Sequence, residues 1–455
     1  MAVTLSPQIR ILDGGQQRLL KGIGTLDPGS LAAYRKSGGY KGLSRAVTQR
    51  SPDEVIGEMA AARLRGRGGA GYPVADKWRA ARSAPGDRKI VVANLMGADP
   101  TSLGDRTLAE GNPHLVLEGA LIAAAAVGAS EAILAVRRDW TLAIERLRAA
   151  VADAEAAHLA GYLILGTDVS VSVSVWEGSG AYVAGEETAL IHALQGDRGM
   201  PLIRPPYPAE RGLWDAPTVI HNAETLAHVA WIAGHSAAEF TRAGTEASPG
   251  TKLVTVAGAV ATPGVAEVTL GTSVEKIINL AGGSTGTVKA VFIGGPGAGA
   301  LAADELSATG YAYDELAAVG SHIGSGTVLV TDAGTCVVAT ARFLLDFSAR
   351  EACGKAVPCR IGTRRLVEAL DRILAATPRP NDLVLLRELS AKIADTALCR
   401  LESLAPRPML TTLDRFAGEY RAHAERGVCL AGSCSTDAVM PLLTPLVEAD
   451  RLPAS

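Results

Sequence analysis

Residues 89–96 read KIVVANLM and residues 131–137 read EAILAVR. Both are short apolar runs with β-branched side chains, and both read as strands. Between them lies HLVLEGALIAAAAV, residues 114–127, apolar on every side and read as a buried helix. Upstream, DEVIGEMAAARL (53–64) is an amphipathic helix; downstream, WTLAIERLRAAVADAEAAHLA (140–160) is another. Helix and strand alternating at this spacing predict an α/β domain built on a mostly parallel, Rossmann-like sheet. Its expected extent is residues 51–248.

The flanks read differently. Residues 1–50 are expected to be a helical lead-in, with a helix starting near Asp27-Pro28 and stopping at Gly38-Gly39. Residues 249–335 open with KLVTVAGAV and GVAEVTL, joined by the turn signal ATPG, and continue with SVEKIINLAGG and AVFIGG. That order suggests a small ubiquitin-like β-grasp domain. Residues 336–428 carry helical periodicity in VVATARFLLDFSAREA, GTRRLVEALDRILAA, NDLVLLRELSAKIADTAL and TTLDRFAGEYRAHAERG, and predict a helical bundle. Residues 429–455 read as a C-terminal tail.

Composition narrows the function. A chain of 455 residues, 48% hydrophobic, can bury the cores of several domains. A net charge of −3 gives no reason to expect nucleic acid or an anionic membrane as partner. The most apolar stretch is interrupted by Glu118 and Glu131, with only about a dozen apolar or small residues between them, too few for a span. Six cysteines in so long a chain do not make a disulfide scaffold. The expectation is a cytoplasmic protein with reduced thiols, meeting a membrane only through a larger complex.

Two glycine-rich stretches carry chemistry. GRGGAGYPVADKW (66–78) has four glycines in its first six residues, so its backbone can approach a ligand and its N–H groups can cradle phosphate. Arg67 and Lys77 offer positive charge and Tyr72 a flat surface. The stretch matches neither common phosphate-binding pattern, and it follows a helix rather than a strand, so a plain flexible turn is the alternative. GSGAYVAGEETALIHALQG (178–196) again places glycines before a helix, whose first turn carries Glu186, Glu187 and Thr188. RPPYPAERGLW supplies Arg204 and Tyr207; PTVIHNAETLAHV reads as a helix start and presents Asn222 and Thr225.

Taken together, these stretches resemble the NADH-binding flavoprotein subunit of respiratory complex I and its relatives in NAD-linked hydrogenases and formate dehydrogenases. The likeness runs from about residue 20 to 428. GRGGAGYPVADKW, GAYVAGEETALI, PPYPAERGLWDAPTVIHNAETL, GSHIGSG and ACGKAVPCRIGT fall in the family's order. The resemblance implies a flavin domain, a β-grasp domain and a helical iron–sulfur domain. It also implies hydride transfer from NAD(P)H to FMN, then single electrons to a cluster and a ferredoxin-like or thioredoxin-like iron–sulfur partner subunit. By matching positions, Gly66, Arg67, Gly68, Gly69 and Lys77 would hold the FMN phosphate and ribityl chain. Asn94, Tyr182, Gly185, Glu186, Glu187, Asn222 and Thr225 would line the flavin, with Glu187 as the catalytic candidate. Tyr72, Arg204 and Tyr207 would contact NAD(H).

The family's cluster spacing is C-x2-C-x2-C, then about forty residues, then a fourth cysteine. Here EACGKAVPCR supplies Cys353 and Cys359 with Ala356 between them, and Cys399 takes the fourth place. A [4Fe–4S] cluster wants four ligands. Three cysteines leave an open iron site, a [3Fe–4S] cluster or a lost one; Cys336, Cys429 and Cys434 are the remaining thiols that could complete it. A second departure lies after the first strand, where the family's acidic N-A-D-E-G-E-P is NLMGADP, with Met96 and Gly97 at two acidic positions. His221 replaces an asparagine; it either donates to the flavin or satisfies a helix start. Three readings stay open: a working NAD(P)H oxidoreductase, an FMN protein exchanging electrons with ferredoxin, or a non-catalytic structural role in an electron-transfer complex.

Overall fold

The computed structural model describes residues 5–432 and 434. Its first sheet has four strands, β1 (Ile90–Leu95), β2 (Glu131–Arg137), β3 (Ser172–Gly178) and β4 (Thr218–Asn222), in the order β3-β2-β1-β4. All neighbours are parallel. The first strand shows why its sequence does not alternate. Val91, Ala93 and Leu95 enter one apolar core, while Ile90 and Val92 enter another on the opposite face with Met96 beyond the strand end. Both faces are covered, so both sets of side chains are apolar.

The helix Pro113–Val127 is buried almost throughout, as its sequence predicts, and packs on the helix Ala223–Gly234. Gly119 makes that approach possible: a Cβ there would meet the Leu226 carbonyl oxygen at 2.0 Å. Two of the four strands, β3 and β4, are not among those expected from the sequence. β4 lies inside PTVIHNAETLAHV, read as a helix start. Five residues of buried parallel strand carry too little pattern to separate from the helix that follows.

The lead-in also differs from its expectation. Among its described residues, only Leu31–Lys36 and Lys41–Thr48 are helical. Before them the chain forms a strap along the second domain: Val265 N–H donates to Arg10 O at 2.7 Å and Leu12 N–H donates to Val265 O at 2.8 Å. The buried Glu267 carboxylate accepts from the backbone N–H groups of Arg18 and Leu19.

The second sheet comprises β5 (Thr251–Gly258), β6 (Gly264–Thr269), β7 (Val288–Ile293), β8 (Gly299–Ala302) and β9 (Thr327–Asp332), ordered β6-β5-β9-β7-β8. Two antiparallel hairpins flank the central β9, which runs parallel to β5, and the helix Val274–Leu280 links the hairpins. A buried pair ties β5 to the helix Ala223–Gly234 that follows β4. Lys252 on β5 donates to Glu224, whose other oxygen accepts Leu253 N–H at 2.8 Å.

The C-terminal region is helical, as expected: Val337–Arg350, Thr363–Leu374, Asp382–Asp395, Arg407–Arg415 and Ala417–Arg426 share a core around Leu345, Leu366, Leu370, Met409 and Tyr420. The single helix predicted over 411–427 is two, because Phe416 leaves helical geometry at φ −119°, ψ 35°. No described helix is long and apolar enough to cross a membrane.

Candidate flavin crevice and cysteine sites

From β1 the chain adds β2 and then β3 on one side, and places β4 on the other. The strand order therefore reverses between β1 and β4. Open α/β sheets bind ligands beyond the carboxyl ends of the strands at such a point. Asn94 and Asn222 are register partners at the ends of these two strands. Asn94 donates to Ala184 O at 3.2 Å and accepts Met96 N–H at 3.1 Å. Asn222 caps the next helix by accepting Glu224 N–H and donates to Asp105 at 2.6 Å. Burial lifts the Asp105 carboxyl to about 6, against the opposing pull of Lys252 and Asn222.

The first glycine loop closes over this crevice. Gly66 N–H donates to Tyr72 O at 2.9 Å, and Tyr313 Oη donates to Gly66 O at 2.7 Å. A Cβ on Gly68 would stand 3.3 Å from the Asn222 side chain. Gly69 has φ +112°, and its Cβ would meet the Gly324 backbone at 3.1 Å. The loop thus has its backbone against the crevice, most tightly at Gly69. Across from it, a Cβ on Gly185 would lie 3.0 Å from Ala98.

The expected roles divide here. The Arg67 guanidinium does not face a phosphate: it is buried and donates to the carbonyls of Thr251, Arg65 and Pro249. Its backbone N–H donates to the buried Thr225 hydroxyl at 2.8 Å, so both residues brace the loop. Charge at the crevice comes from Lys77, which donates to Glu187 at 2.8 Å and to Ile220 O at 3.1 Å. Arg204 donates to the other Glu187 oxygen at 3.0 Å. Burial raises the Glu187 carboxyl, but Lys77 and Arg204 outweigh it and hold the group below its ordinary value. Glu186 caps the helix Glu187–Leu194 by accepting the N–H groups of Thr188 and Ala189. Tyr72 and Tyr207 are 56% and 54% exposed, their rings left uncovered by the described residues.

His221 is committed elsewhere. Trp78 Nε1 donates to its Nε2 at 2.8 Å, and burial, helped by Lys77, keeps the ring neutral. Met96 is buried in an apolar core, and Gly97 backs onto Trp140, whose ring would lie 2.2 Å from a Cβ there. Neither position faces the crevice with a polar group.

The second glycine stretch leads to the cysteines. Tyr182 N–H donates to Glu351 at 3.0 Å, and the Tyr182 ring packs edge-on against Phe347. Tyr182 and Val183 then line a pocket shared with Cys353, Ala356, Cys359 and Cys399. The structure therefore brings the three predicted cysteines together, beside the segment that borders the crevice. Burial raises the Cys359 thiol to about 12, with Glu402 and the neighbouring thiols adding to it, and the Cys399 thiol to about 11, where a backbone hydrogen bond at Glu402 pulls down and the charges of Glu186, Glu402 and Cys353 push up. Glu402, which carries no motif signal in the sequence, is 3% exposed and also lines this pocket.

Cys336, Cys429 and Cys434 do not complete that set. They converge with His423, all four ligand atoms lying within 4.8 Å of one another. Cys336 Sγ is 3.4 Å from His423 Nε2, and Cys434 Sγ is 3.9 Å from the same ring. Cys336 caps the start of the helix Val337–Arg350, whereas Cys353 lies just past its end, roughly 20 Å away at 1.5 Å per residue. The expected tail thus folds back at its first residues; the remainder, 435–455, lies outside the described residues. The spacing H-x5-C-x4-C from His423 to Cys434 carried a metal-site signal. Cys336, 87 residues before the histidine, could only be added by the fold.

Three family models match the chain: Nuo51 FMN-binding domain over residues 59–231, SLBB domain over 253–298, and NADH-ubiquinone oxidoreductase-F iron–sulfur binding region over 339–423. The chain is 41% identical to the NADP-reducing hydrogenase subunit HndC of Solidesulfovibrio fructosivorans, over 90% of this chain and 84% of that one. It is 37% identical to an NADH-quinone oxidoreductase subunit of Rhizobium meliloti, over 90% and 98%. Among solved structures it resembles a chain of an NAD+-reducing [NiFe]-hydrogenase in the H2-reduced state. There the TM-score is 0.82 at 30% identity, covering 98% of this chain and 73% of that one.

Proposed function

The chain belongs to the family of NADH dehydrogenase flavoprotein subunits, which pass electrons from NAD(P)H through FMN to an iron–sulfur cluster, and within that chemistry we propose how its own residues divide the work. FMN occupies the crevice between Asn94 and Asn222. The fit rests on the cradle: Gly68, Gly69 and Gly185 bring bare backbone to its walls, where a Cβ would press on Asn222, Gly324 or Ala98. Bound flavin takes two electrons as a hydride and releases them singly, which suits it to stand between NAD(P)H and a one-electron carrier.

Gly68 and Gly69 offer backbone N–H groups to the phosphate end and Lys77 its charge, the Gly66 and Arg67 N–H groups being taken by Tyr72 and Thr225. Asn94 and Asn222 orient the ring through side chains already pinned by hydrogen bonds. Glu187, held as a carboxylate between Lys77 and Arg204, positions both cations rather than moving a proton. Tyr72 and Tyr207 offer exposed faces on which the adenine of NAD(P)H stacks, with Arg204 beneath. Cys353, Cys359 and Cys399 hold the cluster. The observation that carries the reading is the continuity of one segment, residues 182–187, which borders the crevice at one end and the cysteine pocket at the other.

The second sheet is read as a β-grasp, from its two hairpins around a central strand with one connecting helix. Cys336, His423, Cys429 and Cys434 form a structural site for a single zinc ion. A tetrahedral zinc bound at about 2.3 Å to sulfur and about 2.0 Å to imidazole needs its ligand atoms roughly 3.5–3.8 Å apart, and Cys3His is a common zinc set. The separations around His423 are of that size, too tight for four iron atoms to fit between the ligands. The chain works as part of a larger assembly, like the hydrogenase and quinone oxidoreductase subunits it resembles. Val357 and Ile361, 56% and 45% exposed beside the cluster cysteines, offer an apolar docking point for an iron–sulfur partner.

Anaerobic titration of the purified protein tests the assignment. Stoichiometric bleaching of bound flavin by NADH or NADPH is expected. Flavin reduced only by a reduced ferredoxin would favour the ferredoxin reading, and a protein without flavin would favour a structural role.

A further inference from the structure

Three thiols and an alanine line the cysteine pocket, yet a fourth donor faces it. Glu402 lies three residues after Cys399, which N-caps the short helix Arg400–Leu404, and both residues line the pocket. One carboxylate oxygen, Oε2, accepts Leu398 N–H at 2.9 Å. The other, Oε1, is buried and has no hydrogen-bond partner. A buried acceptor left unsatisfied is destabilising, and more so when charged. Glu402 is the third residue of the helix that Cys399 N-caps, a place from which a carboxylate reaches back to the helix start; Leu398 uses one oxygen in this way, and the backbone N–H groups of Cys359 and Cys399 lie on the same side. The residue is 97% buried, given its 3% exposure, and borders the same cavity as Cys359 and Cys399.

We propose that Glu402, through Oε1, supplies the fourth ligand of the iron–sulfur cluster held by Cys353, Cys359 and Cys399. This rests on the reading that the three cysteines hold a cluster. Charge supports the exchange: a carboxylate carries the same single negative charge as the thiolate that Ala356 cannot provide. The donor differs in kind. Oxygen is a harder ligand than thiolate and binds iron less firmly. The iron it holds is therefore the exchangeable one, open to an added thiol, and the cluster potential departs from that of a four-cysteine cluster. Leu398 N–H keeps the carboxylate from rotating away, as an outer-shell partner does for other metal ligands.

The test uses the full chain prepared anaerobically, with Glu402→Gln, Glu402→Ala, Ala356→Cys and the double variant Glu402→Ala with Ala356→Cys. Iron and sulfide content, EPR and Mössbauer spectra are read, with bound flavin as the control for folding. Wild type is expected to hold about four irons, one with a spectrum distinct from the other three. Glu402→Gln and Glu402→Ala are expected to fall toward about three irons with the EPR signal of an oxidised [3Fe–4S] cluster, and adding Ala356→Cys is expected to restore the fourth. A second readout does not depend on any variant at Glu402: 2-mercaptoethanol is expected to change the EPR spectrum of the reduced wild type but not of Ala356→Cys. Four irons with unchanged spectra in Glu402→Gln would overturn the ligand assignment and leave the cluster reading standing. Wild type without iron that gains a full cluster only with Ala356→Cys would overturn both.

Discussion

Two groups of cysteines sit at opposite ends of the helix Val337–Arg350, and their surroundings give the same side chain opposite uses. At the C-terminal end Cys353, Cys359 and Cys399 line one pocket, next to the segment that borders the flavin crevice. At the N-terminal end Cys336, Cys429, Cys434 and His423 close on one point, with ligand atoms within 4.8 Å. Separation of the donors, not their identity, sets how many metal atoms fit between them. In the proposed reading the pocket group exchanges electrons, while the tight group ties the chain after Ala417–Arg426 back to the start of Val337–Arg350.

The largest effect should come from breaking the tight group. His423→Ala or Cys336→Ser is expected to lose zinc and to destabilise the helical region by several kcal/mol, since metal binding in such sites is folding free energy. Metal analysis and thermal denaturation read both, and iron and flavin content should hold. If instead iron falls and zinc was never present, the tight group is the iron site and the comparison inverts.

Next in size is the flavin cradle. Gly69→Ala must adopt φ +112° and press on the Gly324 backbone, while Gly68→Ala meets only the movable Asn222 side chain at 3.3 Å. A left-handed backbone alone costs about 1–2 kcal/mol, roughly tenfold in flavin affinity. Gly69→Ala should therefore lose FMN during purification and Gly68→Ala retain it, measured by flavin absorbance per chain. Equal retention would place the phosphate elsewhere.

A comparable strain bears on the altered acidic positions. Gly97→Glu puts its Cβ into the Trp140 ring at 2.2 Å from a backbone at φ +49°. Its expected outcome is a lower melting temperature rather than faster hydride transfer. A faster NADH:ferricyanide rate in a fully folded Gly97→Glu would show that a carboxylate there does reach the flavin.

The smallest effect concerns Asp105, held against Asn222 at the crevice. Burial raises its carboxyl from 3.8 to about 6. The folded value lies above the unfolded one. Its contribution to stability is therefore full below pH 3.8 and is lost as pH rises through about 6. Asp105→Asn should gain about 1–3 kcal/mol over wild type at pH 8 and little at pH 4. Melting curves at the two values decide it; a gain confined to pH 4 would reverse the sign.

Much of this is legible in the residues because it depends on local pattern. The double-sided apolar runs of β1 and β2, the buried helix between them and the glycine loop are all properties of short windows. What escapes depends on distance along the chain. β4 is five residues long and merges with its helix. Arg67 looks like a phosphate ligand until Thr251 and Pro249 are found beside it. Cys336 joins a histidine 87 residues away, and Glu402 gains meaning only from the cavity around Ala356. The family resemblance points to the three cluster thiols; it is silent on what replaces the fourth.

The central claim is that electrons entering at the flavin leave through the three-cysteine pocket. Freeze-quenched EPR on the anaerobic protein mixed with NADH tests it most directly. Flavin reduction is expected first, followed by the signal of a reduced cluster, both unchanged in His423→Ala and the cluster signal abolished in Cys359→Ser. Flavin that is reduced while every iron signal stays as in the oxidised protein, or a cluster signal lost in His423→Ala and kept in Cys359→Ser, would contradict it.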